Sequence, residues 1–205
     1  HSLGALTAFL ASGAVPEVNL ANRCQKALDD LSLTNLSKLL QCQLTEVSIP
    51  DRDSIPELNA IVAINSFGSL LWPDKSSAQI SVPIFLTGGT YDLITPALSE
   101  QLGLLLAIKP NNLNRALLIK GASHFSPIRV EGQSTDQSED DLFQLGESLV
   151  GAKPIYVQRL LAKEIIRFLE NVELDKGVQI VTRKDQGDLQ FYVLDRKNIE
   201  GILID

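Results

Sequence analysis

The sequence predicts an α/β fold built on a parallel sheet. Three apolar runs carry that prediction: residues 60–65 (A-I-V-A-I-N), 82–87 (V-P-I-F-L-T) and 114–120 (N-R-A-L-L-I-K). Each has the length and unbroken hydrophobicity of a strand covered on both faces. Helical patterns alternate with them, and that alternation is the signature of parallel strands joined by crossover helices. Ligands of such sheets sit beyond the carboxyl ends of the strands. Ser2, the 88–95 loop and the 121–126 loop fall there.

Residues 2–12 read as a helix that Gly13 and Pro16 end. Residues 19–31 form a second helical pattern, with Leu20, Cys24, Ala27, Leu28 and Leu31 on one face. Thr34 or Asn35 is placed to cap a short third helix through Gln41. Residues 19–43 therefore read as a helical lid or insertion. Pro50-Asp51-Arg52-Asp53 is a polar loop, and residues 66–78, with Gly68, Trp72 and Pro73, are irregular. Thr95 is expected to cap a helix reaching Ile108, with Pro96 at its first position. The polar, acidic residues 133–141 read as a surface loop.

Residues 155–172 predict a long amphipathic helix with Val157, Leu160, Leu161, Ile165, Phe168 and Leu169 inward. Residues 178–182, 189–194 and 199–204 are short alternating or apolar runs, with Asp185-Gln186-Gly187-Asp188 as a hairpin loop. The expected organisation is a domain over residues 1–172 followed by a short C-terminal β extension over residues 173–205.

Composition narrows the function. The chain has 205 residues, 44% of them apolar, and a net charge of −7. Its 18 basic residues are scattered, which argues against a nucleic-acid partner. No apolar run reaches the ~18 residues of a membrane span. Two histidines and the absence of a C-x-x-C pattern argue against a metal site, and no cofactor is expected. Cys24 and Cys42 are either a disulfide, which would place the protein in a periplasm or outside the cell, or two buried thiols of a cytoplasmic protein. The chain contains no methionine, so His1 is not expected to be a translation start.

His1-Ser2-Leu3-Gly4, followed by an apolar helix, matches a nucleophile elbow, in which a sharp turn pushes a serine Oγ out of the backbone. Small residues are expected beside the serine because strand and helix approach closely at such a turn. The same letters also fit a helix capped by Ser2. Acyl transfer by serine needs an imidazole base and a carboxylate that orients it. His124, in G-A-S-H-F, is the only histidine outside the elbow, although a surface-loop histidine would look the same. Asp92, in G-G-T-Y-D-L-I-T-P, follows its strand most closely, although a turn or capping aspartate would too. Asp51, Asp53 and Asp74 are its rivals.

With these motifs in the order Ser, Asp, His, residues 1–172 resemble the C-terminal half of an α/β-hydrolase. More narrowly they resemble bacterial, cyanobacterial-type predicted dienelactone hydrolases, a group related to platelet-activating-factor acetylhydrolase-like esterases. C-Q-K-A-L…L-L-Q-C and A-I-V-A-I-N-S-F-G-S add to the likeness. The resemblance implies a partial α/β-hydrolase fold, with the nucleophile strand and the N-terminal half of the sheet missing from this chain, plus the C-terminal β appendage. It implies a serine hydrolase in which Ser2 attacks, His124 takes the proton, Asp92 holds the imidazole, and the Leu3 N–H is one oxyanion donor. Dienelactone hydrolases proper carry a cysteine nucleophile, so Ser2 points to small-molecule esters or lipid esters. The second oxyanion donor would come from an earlier loop. Losing one donor costs about 2.7 to 4 kcal/mol of barrier, so these 205 residues alone are expected to be weak or inactive. An acyltransferase, a thioesterase or a non-catalytic binding module are the alternatives. Residues 173–205 carry no resemblance.

Overall fold

The computed structural model describes residues 1–29, 35–47, 55, 57–75, 77–128, 152–176, 184–186 and 189–202. The expected features at residues 30–31, Thr34, 50–53, 133–141, 178–182, 187–188 and 203–204 lie outside the described residues.

Five strands form one sheet in the order β1-β2-β3-β5-β4: β1 (Ile61–Ile64), β2 (Ile84–Gly89), β3 (Arg115–Ile119), β4 (Lys184–Gln186) and β5 (Leu189–Leu194). The three apolar runs are the parallel strands β1, β2 and β3, with Ile61 beside Ile84 and Phe85 beside Arg115. Three helices precede the sheet: α1 (Leu3–Ala11), α2 (Leu20–Asp29) and α3 (Ser37–Gln43). After β2 a π-helical turn, Ala97–Leu102, runs into α4 (Gly103–Ala107). Two more helices follow, α5 (Pro154–Glu173) and α6 (Arg196–Ile202).

Side chains alternate across the sheet, so each strand feeds two cores. Ile61, Ala63, Ile84, Leu86, Ala116 and Leu118 pack against Leu6 and Phe9 of α1, Trp72, and Leu104 and Leu105 of α4. Phe85, Leu117, Ile119, Phe191 and Val193 pack against Val157, Leu160, Leu161 and Phe168 of α5. The result is a mixed α/β architecture, an open sheet with helices on both faces.

Several expectations change. The C-terminal segment is not an appendage: β5 pairs antiparallel with β3, and β4 with β5. Phe191 and Val193 extend the apolar face of Ile119 and Leu117, burial that an isolated hairpin would forgo. Asp185 and Gln186 lie in β4, so only residues 187–188 connect the strands. Residues 196–202 are helical because Asp195 and Asn198 cap reciprocally. Each side chain accepts the other's main-chain N–H, at 2.8 and 3.1 Å.

On α5, Leu169 is exposed and Glu164 takes a buried place, since the stripe of Val157, Leu160, Leu161, Glu164 and Phe168 passes one position before Leu169. On α2 only Cys24 is buried, and Leu28 is exposed. That helix is tethered by polar contacts instead. Arg23 donates to the carbonyls of Leu70, Val18 and Glu17. Cys24 is joined to Cys42 by a disulfide. Among the described residues β1 ends the sheet order; Val62 and Ile64, which share one of its faces, are half-buried, while Ile61 and Ala63 on the other are fully covered.

Among the described residues no helix is long and apolar enough to cross a membrane, and no group of three metal-ligating side chains assembles.

Candidate active site

The site begins at Ser2, at the head of α1. Its backbone lies at φ 51° and ψ −123°, a region that costs a non-glycine residue about 1 to 3 kcal/mol and persists only where the surroundings hold it. One holding contact is the Ser2 N–H, which donates to Ile64 O at 2.9 Å, at the carboxyl end of β1. The Gly4 N–H returns to His1 O at 3.0 Å and the Ala5 N–H to Ser2 O at 2.9 Å, closing the turn into the helix. Leu3 is the first helical residue, so its N–H has no intrahelical acceptor. Leu3 is also exposed.

The close approach expected beside the serine is not found at Gly4, where an added Cβ would meet nothing within 4 Å. It lies instead at Gly89, the last residue of β2, where a Cβ would collide with the Ala122 carbonyl. That approach brings the loops after β2 and β3 together, and the Tyr91 N–H donates to Ala122 O at 3.0 Å.

Asp92 and His124 meet across this junction. His124 Nδ1 is 2.9 Å from Asp92 Oδ2, and both side chains are buried. Asp92 Oδ1 accepts the N–H groups of Ile94 and Thr95 at 2.9 and 2.8 Å. Thr95 Oγ1, expected to cap a helix, donates to Asp92 Oδ2 at 2.8 Å, and Pro96 takes the cap position. The carboxylate therefore accepts four hydrogen bonds, the number its lone pairs allow. A carboxylate at Nδ1 puts the ring proton on that nitrogen and leaves Nε2 with a free lone pair, the form a general base needs.

His1, the residue before Ser2, is the one that touches His124. His1 Nε2 donates to the His124 carbonyl at 2.9 Å, and the two imidazole centroids are 4.8 Å apart. Ser2 Oγ makes no hydrogen bond among the described residues. Asn65, directly after β1, also donates to His124 O, at 2.8 Å. Of the rival carboxylates, Asp74 is exposed, and Asp51 and Asp53 lie outside the described residues.

A second polar cluster braces the acid loop from behind. Glu100 is fully buried, and Oε1 accepts from Ser37 Oγ and Ser69 Oγ, both at 2.7 Å. Oε2 accepts the N–H groups of Gly68 and Ser69 at 3.0 and 3.1 Å. Asn35 is not the cap of α3, since Leu36 holds that position. The Asn35 amide instead points at Ser99 and Glu100. The Ser37 N–H meets Ile94 O at 2.8 Å, two residues from Asp92, so the disulfide-linked α2–α3 segment forms one wall of the acid loop.

No family model matches the chain, and no curated protein matches it. The chemistry of the site is therefore argued from its own side chains. Sequence reasoning singled out Ser2, Leu3, Asp92 and His124. It missed His1 as a contact of His124, took Asn65 as the end of a strand and Thr95 as a helix cap, and gave Glu100 no part in the site. One signal was present: Asn65 is a polar end to an otherwise unbroken apolar run.

Proposed function

We propose that the protein is a serine hydrolase of the α/β-hydrolase type that cleaves carboxylic or lipid esters through an acyl-enzyme on Ser2. The observation that carries this reading is the buried Asp92–His124 pair, held at 2.9 Å one residue's contact away from a serine in a strained turn. In the proposed reaction Ser2 Oγ attacks the ester carbonyl carbon, and its proton passes to His124 Nε2. The Leu3 N–H donates to the oxyanion. The C–O bond to the alcohol then breaks, and His124 returns the proton to the departing oxygen. Water attacks the acyl-enzyme with His124 again as base, releasing the acid and free Ser2. Asp92 stabilises the imidazolium that forms in each half.

The surroundings suit an apolar substrate. Leu3, Tyr91, Leu93 and Phe125 are all exposed, and each is adjacent along the chain to Ser2, Asp92 or His124. The Cys24–Cys42 disulfide favours a periplasmic or secreted location within this reading.

The experiment is labelling of the full-length protein with a fluorophosphonate, alongside hydrolysis of a p-nitrophenyl ester. The wild type is expected to label at Ser2 and turn over the ester, and Ser2→Ala to do neither. Turnover that survives Ser2→Ala rejects the assignment.

A further inference from the structure

We infer that Asn65 is a positioning residue that sets His124 in register with Asp92 and Ser2 by gripping its main-chain carbonyl. The kinetic consequences rest on the hydrolase reading; the structural ones rest on geometry alone.

Asn65 is buried and is joined to all three loops of the site. Its N–H donates to Thr87 O of β2 at 2.8 Å. Its side-chain Nδ2 donates to His124 O at 2.8 Å, with Ser123 O at 3.5 Å. Its own carbonyl lies 3.3 Å from Thr95 Oγ1, the hydroxyl that also touches Asp92 Oδ2 and His124 Nδ1. The peptide before it supplies Ile64 O, the acceptor that anchors the Ser2 N–H.

The backbone explains why this residue is asparagine. At φ 47° the chain is in the left-handed region, which asparagine tolerates better than other residues with a side-chain amide. A short side chain leaving that backbone reaches a carbonyl 59 positions further along the chain. His1 Nε2 is the second donor on the same oxygen, so both lone pairs of His124 O are occupied. A carbonyl pinned from two sides fixes the peptide that carries the imidazole. The ring is then aimed at Asp92 before any substrate arrives, and such preorganisation is worth rate.

The test compares wild type, Asn65→Gly and Asn65→Asp in the full-length protein. Four readouts are taken: fluorophosphonate labelling of Ser2, kcat and KM on a p-nitrophenyl ester, Tm, and the NMR signal of the His124 Nδ1 proton. Glycine accepts the left-handed backbone, so Asn65→Gly deletes the amide with little added strain. Aspartate keeps the volume but sets an acceptor against an acceptor.

For Asn65→Gly, kcat is expected to fall about 10- to 100-fold with KM within about twofold, the loss of one buried hydrogen bond in an aligned site. Asn65→Asp is expected to fall further, and the His124 Nδ1 proton signal to be lost in both variants. A packing role gives the reverse order, aspartate above glycine. The inference is overturned if Asn65→Gly keeps wild-type labelling and the Nδ1 signal, if Asn65→Asp outperforms it, or if the wild type lacks that signal. If the wild type neither labels nor turns over ester, the hydrolase reading fails by itself. The Nδ1 signal then decides: its loss in Asn65→Gly upholds the positioning role, and its persistence rejects it.

Discussion

Asp92 Oδ2 and His124 Nδ1 stand 2.9 Å apart, and the carboxylate has no exposed surface. Thr95 and the Ile94 and Thr95 amides hold the remaining lone pairs, so the carboxylate cannot swing to water. Its direction is set by the loop, and the imidazole's direction is set by the carboxylate. Under the proposed mechanism the pair matters for the tautomer it imposes.

Asp92→Asn keeps the shape and presents an amide to the ring. It is expected to lower the Ser2 labelling rate by about 10³- to 10⁴-fold, the size of effect that tautomer reversal has in serine proteases. The rate is read by competitive fluorophosphonate labelling. A rate within tenfold of wild type would sink the role of Asp92.

Glu100→Gln turns one acceptor oxygen of a buried hub into a donor that faces other donors. Both carboxylate oxygens already serve two strong partners, through Ser37, Gly68 and Ser69. The variant is expected to lose about 2 to 3 kcal/mol in urea unfolding, since a buried group left unsatisfied costs its desolvation. An unchanged midpoint would show that the cluster contributes no net stability.

Removing the disulfide with Cys24→Ser and Cys42→Ser together should cost about 3 kcal/mol, from the loop entropy of an 18-residue separation. The loss should be uneven. The Ser37 amide, which pairs with Ile94 O, is expected to exchange with deuterium faster than amides of β2. Equal acceleration in both places would mean that the α2–α3 segment and the sheet open as one unit.

Arg115 offers a gain instead of a loss. Its guanidinium is buried against the stacked rings of Phe85 and Phe168, 5.2 and 5.0 Å from their centroids, and none of its nitrogens has a hydrogen-bond partner among the described residues. Burial pulls its pKa down to about 10, against a partly offsetting pull from Glu164. The unfolded chain holds that proton to higher pH than the folded one, so the folded state carries the full penalty at every pH below about 10. Arg115→Met is expected to stabilise by about 1 to 3 kcal/mol at neutral pH, with the advantage shrinking as pH rises through 10. Thermal melts at several pH values test both the sign and the trend. A destabilised variant at pH 7 would mean that the ring contacts outweigh the missing hydrogen bonds.

The parallel strands were legible because buried strands write themselves locally. Residues 61–64, 84–89 and 115–119 are apolar at nearly every covered position, with Thr87 and Arg115 the buried polar exceptions. The β5–β3 pairing was not legible. An alternating run such as Leu189–Leu194 states that it has one covered face but not which sheet covers it. The α6 helix was misread as an apolar run because its cap is a reciprocal pair of side-chain bonds, which Asp195 and Asn198 reveal only once both are in place.

For the site, sequence alone determined the order of Ser2, Asp92 and His124, and the places of Asp92 and His124 just past two strands. Chain order and strand boundaries are local properties, and they survive any arrangement of the sheet. Tertiary structure decided what holds these residues. Asn65 reaches His124 across 59 positions, Thr95 turns from a helix cap into a partner of Asp92, and Gly89 is small because Ala122 lies against it. Hydrogen bonds of that kind depend on distances of a few ångströms between distant segments, and residue identity along the chain carries no record of them.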